Sequence, residues 1–156
     1  MNVSGRSEPV LRQFVSTITT TVPATPGLNA AANGRKILVA VDDLFFAAKI
    51  QEAARKLGVT IEFAKTDREI LEKAETLPNL IIFDLNSNSA HPIETIQRLR
   101  QNPNLKKVSL IAFVSHVQAD LKLQAQEAGC DLVMPRSAFS QNLPNLLRRH
   151  GLPEPQ

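Results

Sequence analysis

The chain has 156 residues, which gives room for one domain with a substantial core and little more. Its net charge of +3 comes without a dense stripe of Lys and Arg, and Trp and Tyr are absent, so direct nucleic-acid binding is not expected. The single cysteine excludes an internal disulfide and favours a reducing compartment, which predicts a cytoplasmic protein. The sequence contains no run of about 18 apolar residues that could span a membrane.

The composition divides the chain into three parts. Residues 1–35 are rich in Ser, Thr, Pro, Gly, Ala and Asn, and are predicted to form a disordered N-terminal arm. The arm has Arg and hydroxyl residues and few acids, as organellar transit peptides do, but Pro23, Pro26 and Gly27 favour a plain linker. Residues 36–150 are predicted to form the folded domain, and residues 151–156 a short tail.

Strand and helix patterns alternate along the folded part. Five apolar stretches predict strands at residues 37–41, 60–64, 80–84, 108–114 and 132–134. Segments with helical spacing follow them at residues 44–57, 67–75, 92–101, 118–128 and 140–149. Pro144 is tolerated only in a first helical turn, so the regular part of the last helix is predicted to begin near Asn142 or Leu143.

This alternation predicts an α/β fold. Strands separated by helices of this length imply right-handed crossovers and a doubly wound parallel sheet, for which we expect the strand order 2-1-3-4-5. In that order strands 1 and 3 are neighbours at the point where the winding reverses. The acidic pair Asp42 and Asp43 follows strand 1 and Asp84 ends strand 3, so the three carboxylates are expected in one crevice.

An acidic crevice of this kind is suited to a hard cation. Carboxylates that repel one another need a counter-charge, and Mg²⁺ prefers oxygen ligands such as these side chains and the backbone carbonyl of Asn86. Asp84 is a candidate nucleophile toward a phosphoryl group, with Arg136, just after strand 5, as the fixed cation beside it. The alternative interpretation makes Asp84 a helix N-cap or a turn aspartate.

Residues 36–150 resemble the receiver domain of two-component response regulators, which has a flavodoxin-like fold. The resemblance rests on the acidic pair in residues 41–43, on Asp84-Leu85-Asn86 at the end of strand 3, and on the turn at residues 128–131. It implies that Asp84 takes a phosphoryl group from a histidine kinase or a phosphotransfer protein. It also implies that Mg²⁺ is held by Asp42, Asp43, Asp84 and the Asn86 carbonyl.

The chain departs from the family pattern at three positions. The hydroxyl residue at the end of strand 4 is replaced by Val114, with Ser115 one step later as its candidate substitute. The Lys-Pro pair after strand 5 appears as Arg136-Ser137, and the aromatic position on strand 5 is Val133. These departures leave phosphoryl acceptance in place while removing two parts of the usual readout.

Two functions follow from this pattern. The first is a stand-alone response regulator, with no output domain after the receiver, that accepts a phosphoryl group on Asp84 in a phosphorelay. Its enzymatic activity would at most be self-catalysed phosphorylation and dephosphorylation of the aspartate. The alternative is a divergent pseudo-receiver that acts as a protein-interaction module without phosphorylation-dependent switching. A flavodoxin-type cofactor binder is disfavoured because Asp42 and Asp43 would repel its phosphate, and the Asp-x-Asp of a haloacid-dehalogenase-like phosphatase is missing.

Overall fold

A computed structural model describes residues 35–115 and 118–153. Its five strands form one parallel sheet in the order β2-β1-β3-β4-β5, so the predicted doubly wound topology is confirmed. The strands are β1 (Lys36–Ala40), β2 (Thr60–Phe63), β3 (Leu80–Asp84), β4 (Ser109–Val114) and β5 (Leu132–Pro135). The helices are α1 (Leu44–Leu57), α2 (Asp67–Ala74), α3 (Pro92–Gln101), α4 (Ala119–Ala128) and α5 (Arg136–Gly151), and a 3₁₀ turn lies at Pro103–Leu105. The predicted N-terminal arm and the end of the predicted tail lie outside the described residues.

The sheet is covered on both faces, as its apolar strands require. Alternate side chains of β1, β3 and β4 enter two separate apolar cores. In β1, Leu38 packs with the helices α2, α3 and α4, whereas Ile37 and Val39 pack with α1 and α5. The strand β3 is buried along its whole length, which places its last residue, Asp84, at the centre of the carboxyl edge of the sheet.

The ends of α1 follow from local sequence. The Asp43 carboxylate is the N-cap and accepts hydrogen bonds from the N–H groups of Phe45 (2.9 Å) and Phe46 (3.1 Å). Gly58 ends the helix in the left-handed conformation with φ of 71°, as the sequence predicted. Phe46 enters the core while Phe45 is 85% exposed, so the capping aspartate fixes which of the two phenylalanines points inward.

The prediction for the last helix was wrong at its start. The helix α5 begins at Arg136, directly after β5, and runs through Pro144 to Gly151. Phe139, Leu143 and Leu147 recur at helical spacing and are all buried, so a continuous helix buries more apolar surface than one that starts at the proline. Pro144 is exposed, and the carbonyl that loses its hydrogen bond there can be solvated.

Because Pro144 removes a helical hydrogen bond and so destabilises α5, Pro144→Ala is expected to raise the free energy of unfolding by about 1–2 kcal/mol. The alanine restores a helical hydrogen bond, and the gain is reduced by the greater freedom of the unfolded chain. Urea denaturation measures the change. The matched control is Pro103→Ala, which alters an exposed proline at the first position of the 3₁₀ turn, where proline is well accommodated, and should give no gain. An unchanged or lower stability of the Pro144 variant would contradict this account of α5.

In the part of the chain that the structure describes, no helix combines the length and apolar character needed to cross a membrane.

Candidate functional site

Asp84 lies at the carboxyl end of β3, between β1 and β4. Its side chain is buried, with the residue only 4% exposed. The Oδ1 atom accepts a hydrogen bond from the N–H of Asn86 (2.9 Å), and the Oδ2 atom lies 3.5 Å from Nη2 of Arg136. The carboxylate therefore makes the local turn contact expected of a turn aspartate and also faces a fixed cation in the crevice. Asp84 is not a helix N-cap, because the helix that follows it, α3, has His91 at its N-cap position.

The guanidinium of Arg136 joins the two sides of the crevice. Its Nη1 atom lies 3.4 Å from Oδ2 of Asp43, and its Nη2 atom faces Asp84. Because Arg presents two donors in one plane, a single side chain pairs with both carboxylates. The structure thus brings Asp43, Asp84 and Arg136 together as the sequence predicted.

The guanidinium of Arg136 packs over two aromatic rings. The guanidinium carbon lies 5.0 Å from the ring centroid of Phe46 and 5.5 Å from that of Phe113. These rings pack against each other and against Phe139, with centroid distances of 4.7–5.8 Å. Cation–π attraction to two ring faces adds to the two ion pairs and limits the movement of the charge. This cluster of rings could not be predicted from the sequence, because the three phenylalanines belong to different elements.

Asp42 is held by the loop that follows β3. Its Oδ2 atom accepts hydrogen bonds from the hydroxyl groups of Ser87 (2.7 Å) and Ser89 (3.3 Å). Asp42 and Asp43, although adjacent in sequence, thus have different partners: two neutral hydroxyls and one guanidinium. These two serines were not among the predicted site residues, since short polar residues in a loop ordinarily indicate nothing more than solvation.

Asn86 connects β3 to the end of β4. Its Oδ1 atom accepts hydrogen bonds from the N–H (2.9 Å) and the hydroxyl (2.7 Å) of Ser115, and its Nδ2 group donates to Oε1 of Gln118 (3.0 Å). The hydroxyl of Ser115 is therefore directed to the Asn86 amide. The side chains of Val114 and Val133 lie in the apolar core, so neither supplies a polar group to the crevice.

The buried position of Asp84 controls its ionisation. Burial raises the pKa of this carboxyl above its ordinary value, the hydrogen bond from Asn86 and the charge of Arg136 lower the pKa, and the charges of Asp42 and Asp43 raise it again. The net direction is upward. Arg136 therefore offsets only part of the free-energy cost of the ionised carboxylate.

The raised pKa predicts that Asp84→Asn increases the thermal midpoint at neutral pH. A carboxyl whose pKa is higher in the folded state binds its proton more tightly there, so its contribution to stability is fully present below the unfolded pKa and lost as the pH rises through the folded pKa. Asparagine stays neutral and can keep the hydrogen bond from Asn86. Thermal unfolding of both proteins from pH 3 to pH 8 measures the effect, and the difference should vanish at the acid end. A lower midpoint for Asp84→Asn at pH 7 would show that the ionised carboxylate stabilises the fold.

The oxygen donors of the crevice fit a hard divalent cation. Within residues 35–115 and 118–153, no three His, Cys, Asp or Glu side chains are close enough to form a metal site by themselves. The reason is visible in the contacts, because Asp43 and Asp84 are both turned toward Arg136 and Asp42 is turned toward the serine loop. Mg²⁺ commonly needs only one or two protein carboxylates and fills its other positions with water and phosphate oxygens. The donor set is therefore suitable for Mg²⁺.

Comparison with known proteins identifies the fold. No family model matches the sequence, and no curated protein matches it. Solved structures do match: the response regulator from Hahella chejuensis is 18% identical, with a TM-score of 0.68 over 78% of this chain and 99% of that one. The chemotaxis response regulator CheY4 of Vibrio cholerae is 20% identical, with a TM-score of 0.64 over 73% of this chain and 96% of that one. The Mn²⁺-bound form of the response regulator Rcp1 is 19% identical, with a TM-score of 0.60 over 77% of this chain and 99% of that one.

At these identities the similarity concerns the fold. The chain has the flavodoxin-like fold of a response regulator receiver domain, and the resemblance predicted from its motifs is confirmed at that level.

Proposed function

We propose that this chain, which has the receiver fold, accepts a phosphoryl group on Asp84 in a phosphorelay. One observation carries the proposal: Asp84 is buried at the end of the central strand and faces the guanidinium of Arg136 at 3.5 Å. A buried carboxylate beside a fixed cation is the arrangement that transfer of a phosphoryl dianion requires.

In the proposed reaction a carboxylate oxygen of Asp84 attacks the phosphorus of a phosphohistidine. The new P–O bond forms while the P–N bond breaks, and the histidine nitrogen keeps the electron pair of that bond. Arg136 is already paired with the acceptor carboxylate, so its second role is to neutralise the phosphoryl oxygens as they approach. Because the group attacked is a phosphohistidine, the proposed donor is a histidine kinase or a histidine-containing phosphotransfer protein.

Asp42, Asp43, Asp84 and the Asn86 carbonyl would hold Mg²⁺, which supplies positive charge to the phosphoryl oxygens when bound. The response regulator Rcp1, which has the same fold, was solved in an Mn²⁺-bound form, and this supports the proposal that this chain binds a divalent ion. Ser115 is the candidate substitute for the hydroxyl residue that receivers have at the end of strand 4. Its hydroxyl can donate to the phosphoryl group only by giving up its hydrogen bond to Asn86.

The proposal is tested by incubating the full chain with Mg²⁺ and acetyl phosphate and measuring its intact mass. We expect the mass of one phosphoryl group to be added, with loss of the product in hydroxylamine, which cleaves acyl phosphates. Asp84→Asn should stay unmodified, and Asp120→Asn, which changes an exposed carboxylate on α4, should be modified like the native chain. A native chain that remains unmodified would instead support the alternative, a pseudo-receiver that acts by protein contacts alone.

A further inference from the structure

Ser87 is a buried polar residue in the loop after β3, and its partner lies far away in sequence. The residue is 6% exposed, and its hydroxyl donates to Oδ2 of Asp42, 45 positions earlier in the chain, at 2.7 Å. The other buried hydroxyl of the described residues, on Thr95, donates to the carbonyl of Ala90 beside its own helix and has no contact with the crevice. Of the two serines that join this loop to Asp42, Ser87 is the buried one and makes the shorter bond to the carboxylate.

The backbone of Ser87 is fixed as well. Its N–H donates to the carbonyl of Asp84 (3.0 Å), and its Oγ accepts from the N–H of Ala90 (3.3 Å). The peptide group between Asn86 and Ser87 is planar, so the Asn86 carbonyl is directed opposite to that N–H, away from the Asp84 carbonyl. The contacts of Ser87 thus set the positions of both the Asn86 carbonyl and the Asp42 carboxylate.

We infer that Ser87 is a positioning residue for the divalent cation: its hydroxyl holds one oxygen of Asp42 so that the other oxygen and the Asn86 carbonyl are presented together. This inference rests on the proposed function, since it concerns the same crevice. It adds a residue that touches neither the metal nor the phosphoryl group.

The contacts indicate that the serine hydroxyls orient the Asp42 carboxylate and do not compete with the cation for both of its oxygens. Both serine hydroxyls that contact Asp42 bond to the same atom, Oδ2, and so leave Oδ1 for another partner. A ligating carboxylate whose second oxygen is held by a hydrogen bond is the common arrangement around protein metal ions. A hydroxyl is also neutral, so it orders the carboxylate without removing the negative charge that attracts the cation, which an Arg in its place would do.

The test measures binding of Mg²⁺ alone to the full chain, by titration with ¹H–¹⁵N NMR. Ser87→Ala and Ser87→Cys are expected to weaken binding by about 10-fold to 100-fold, the usual consequence of losing a hydrogen bond to a metal ligand. The cysteine variant keeps nearly the same volume with a much weaker donor, so it serves if the alanine variant folds poorly. Thr76→Ala is the control, because it removes an exposed hydroxyl that donates only to the carbonyl of Lys73 at the end of α2, and it should change affinity by less than about 3-fold.

A double-mutant cycle tests whether Ser87 acts through Asp42. Combined with Asp42→Asn, Ser87→Ala is expected to cause no further loss of Mg²⁺ affinity. An equal loss in both backgrounds would overturn the inference, as would native affinity in both Ser87 variants. If the native chain is phosphorylated on Asp84 and Mg²⁺ binding is insensitive to Ser87, only this inference fails. If the native chain does not bind Mg²⁺ at all, the inference fails together with the metal site of the proposed function.

Discussion

Replacing Arg100 with alanine is expected to lower the free energy of unfolding by about 3 kcal/mol, because one guanidinium satisfies several backbone groups at once. Nε donates to the carbonyl of Gly129 (2.8 Å), and Nη1 donates to three carbonyls in the segment 105–108 (3.0–3.3 Å). Nη2 pairs with Oδ2 of Asp131 (2.7 Å), which itself accepts the N–H of Leu110. Removing Arg100 takes one donor from each of these carbonyls and from Asp131, and it removes the link between the end of α3 and the turn before β5.

Thermal unfolding gives a direct comparison for this prediction. For a domain of this size, 3 kcal/mol corresponds to a fall in melting temperature of roughly 10 °C. Arg98→Ala removes an exposed arginine two positions earlier on the same helix and is expected to change stability by less than about 0.5 kcal/mol. Equal melting temperatures for the two variants would show that the Arg100 contacts contribute nothing. Gly129 permits the contact, since its φ is 117° and a Cβ there would overlap Cγ of Arg100.

Replacing Arg136 with alanine is expected to slow phosphorylation of Asp84 by acetyl phosphate about 100-fold or more. The guanidinium is the described cation that faces both Asp84 and Asp43, and loss of one such charge-stabilising donor commonly costs a factor of 10²–10³. Arg136→Lys keeps the charge but loses the planar pairing and the fit over the rings of Phe46 and Phe113, so we expect the rate to fall by less than about 10-fold.

The rate is measured from the time course of intact mass, with Arg98→Ala as the control for loss of a positive charge elsewhere. Circular dichroism establishes that each variant is folded. A rate for Arg136→Ala close to that of the native chain would mean that the metal neutralises the transferred group alone. Arg136 would then be a structural partner of the two aspartates.

The parts of the structure that follow from short-range patterns could be predicted from the sequence. Apolar runs predicted the strands. Because the carboxyl ends of parallel strands lie at one edge of the sheet, the strand order predicted that Asp84 lies close to Asp43 and Arg136. Gly58 ended α1 because only a residue that tolerates positive φ suits that position.

The contacts that depend on distant parts of the chain could not be predicted. The predicted start of α5 was wrong because Pro144 is a strong local signal for the beginning of a helix. The apolar residues that extend the helix back to Arg136 act only through packing with α1 and the sheet. The contacts of Arg100 join groups 29 and 31 residues apart, and the bond of Ser87 to Asp42 spans 45. Nothing in the neighbouring residues marks such pairs before the fold brings them together.

Peptide mapping identifies the residue that carries the phosphoryl group, which we propose is Asp84. The native chain, treated with Mg²⁺ and acetyl phosphate, is reduced with borohydride, which converts an aspartyl phosphate to homoserine, and is then digested and sequenced by mass spectrometry. We expect homoserine at residue 84, with Asp42 and Asp43 unchanged in the same sample. Homoserine at another aspartate, or at none, would contradict the account.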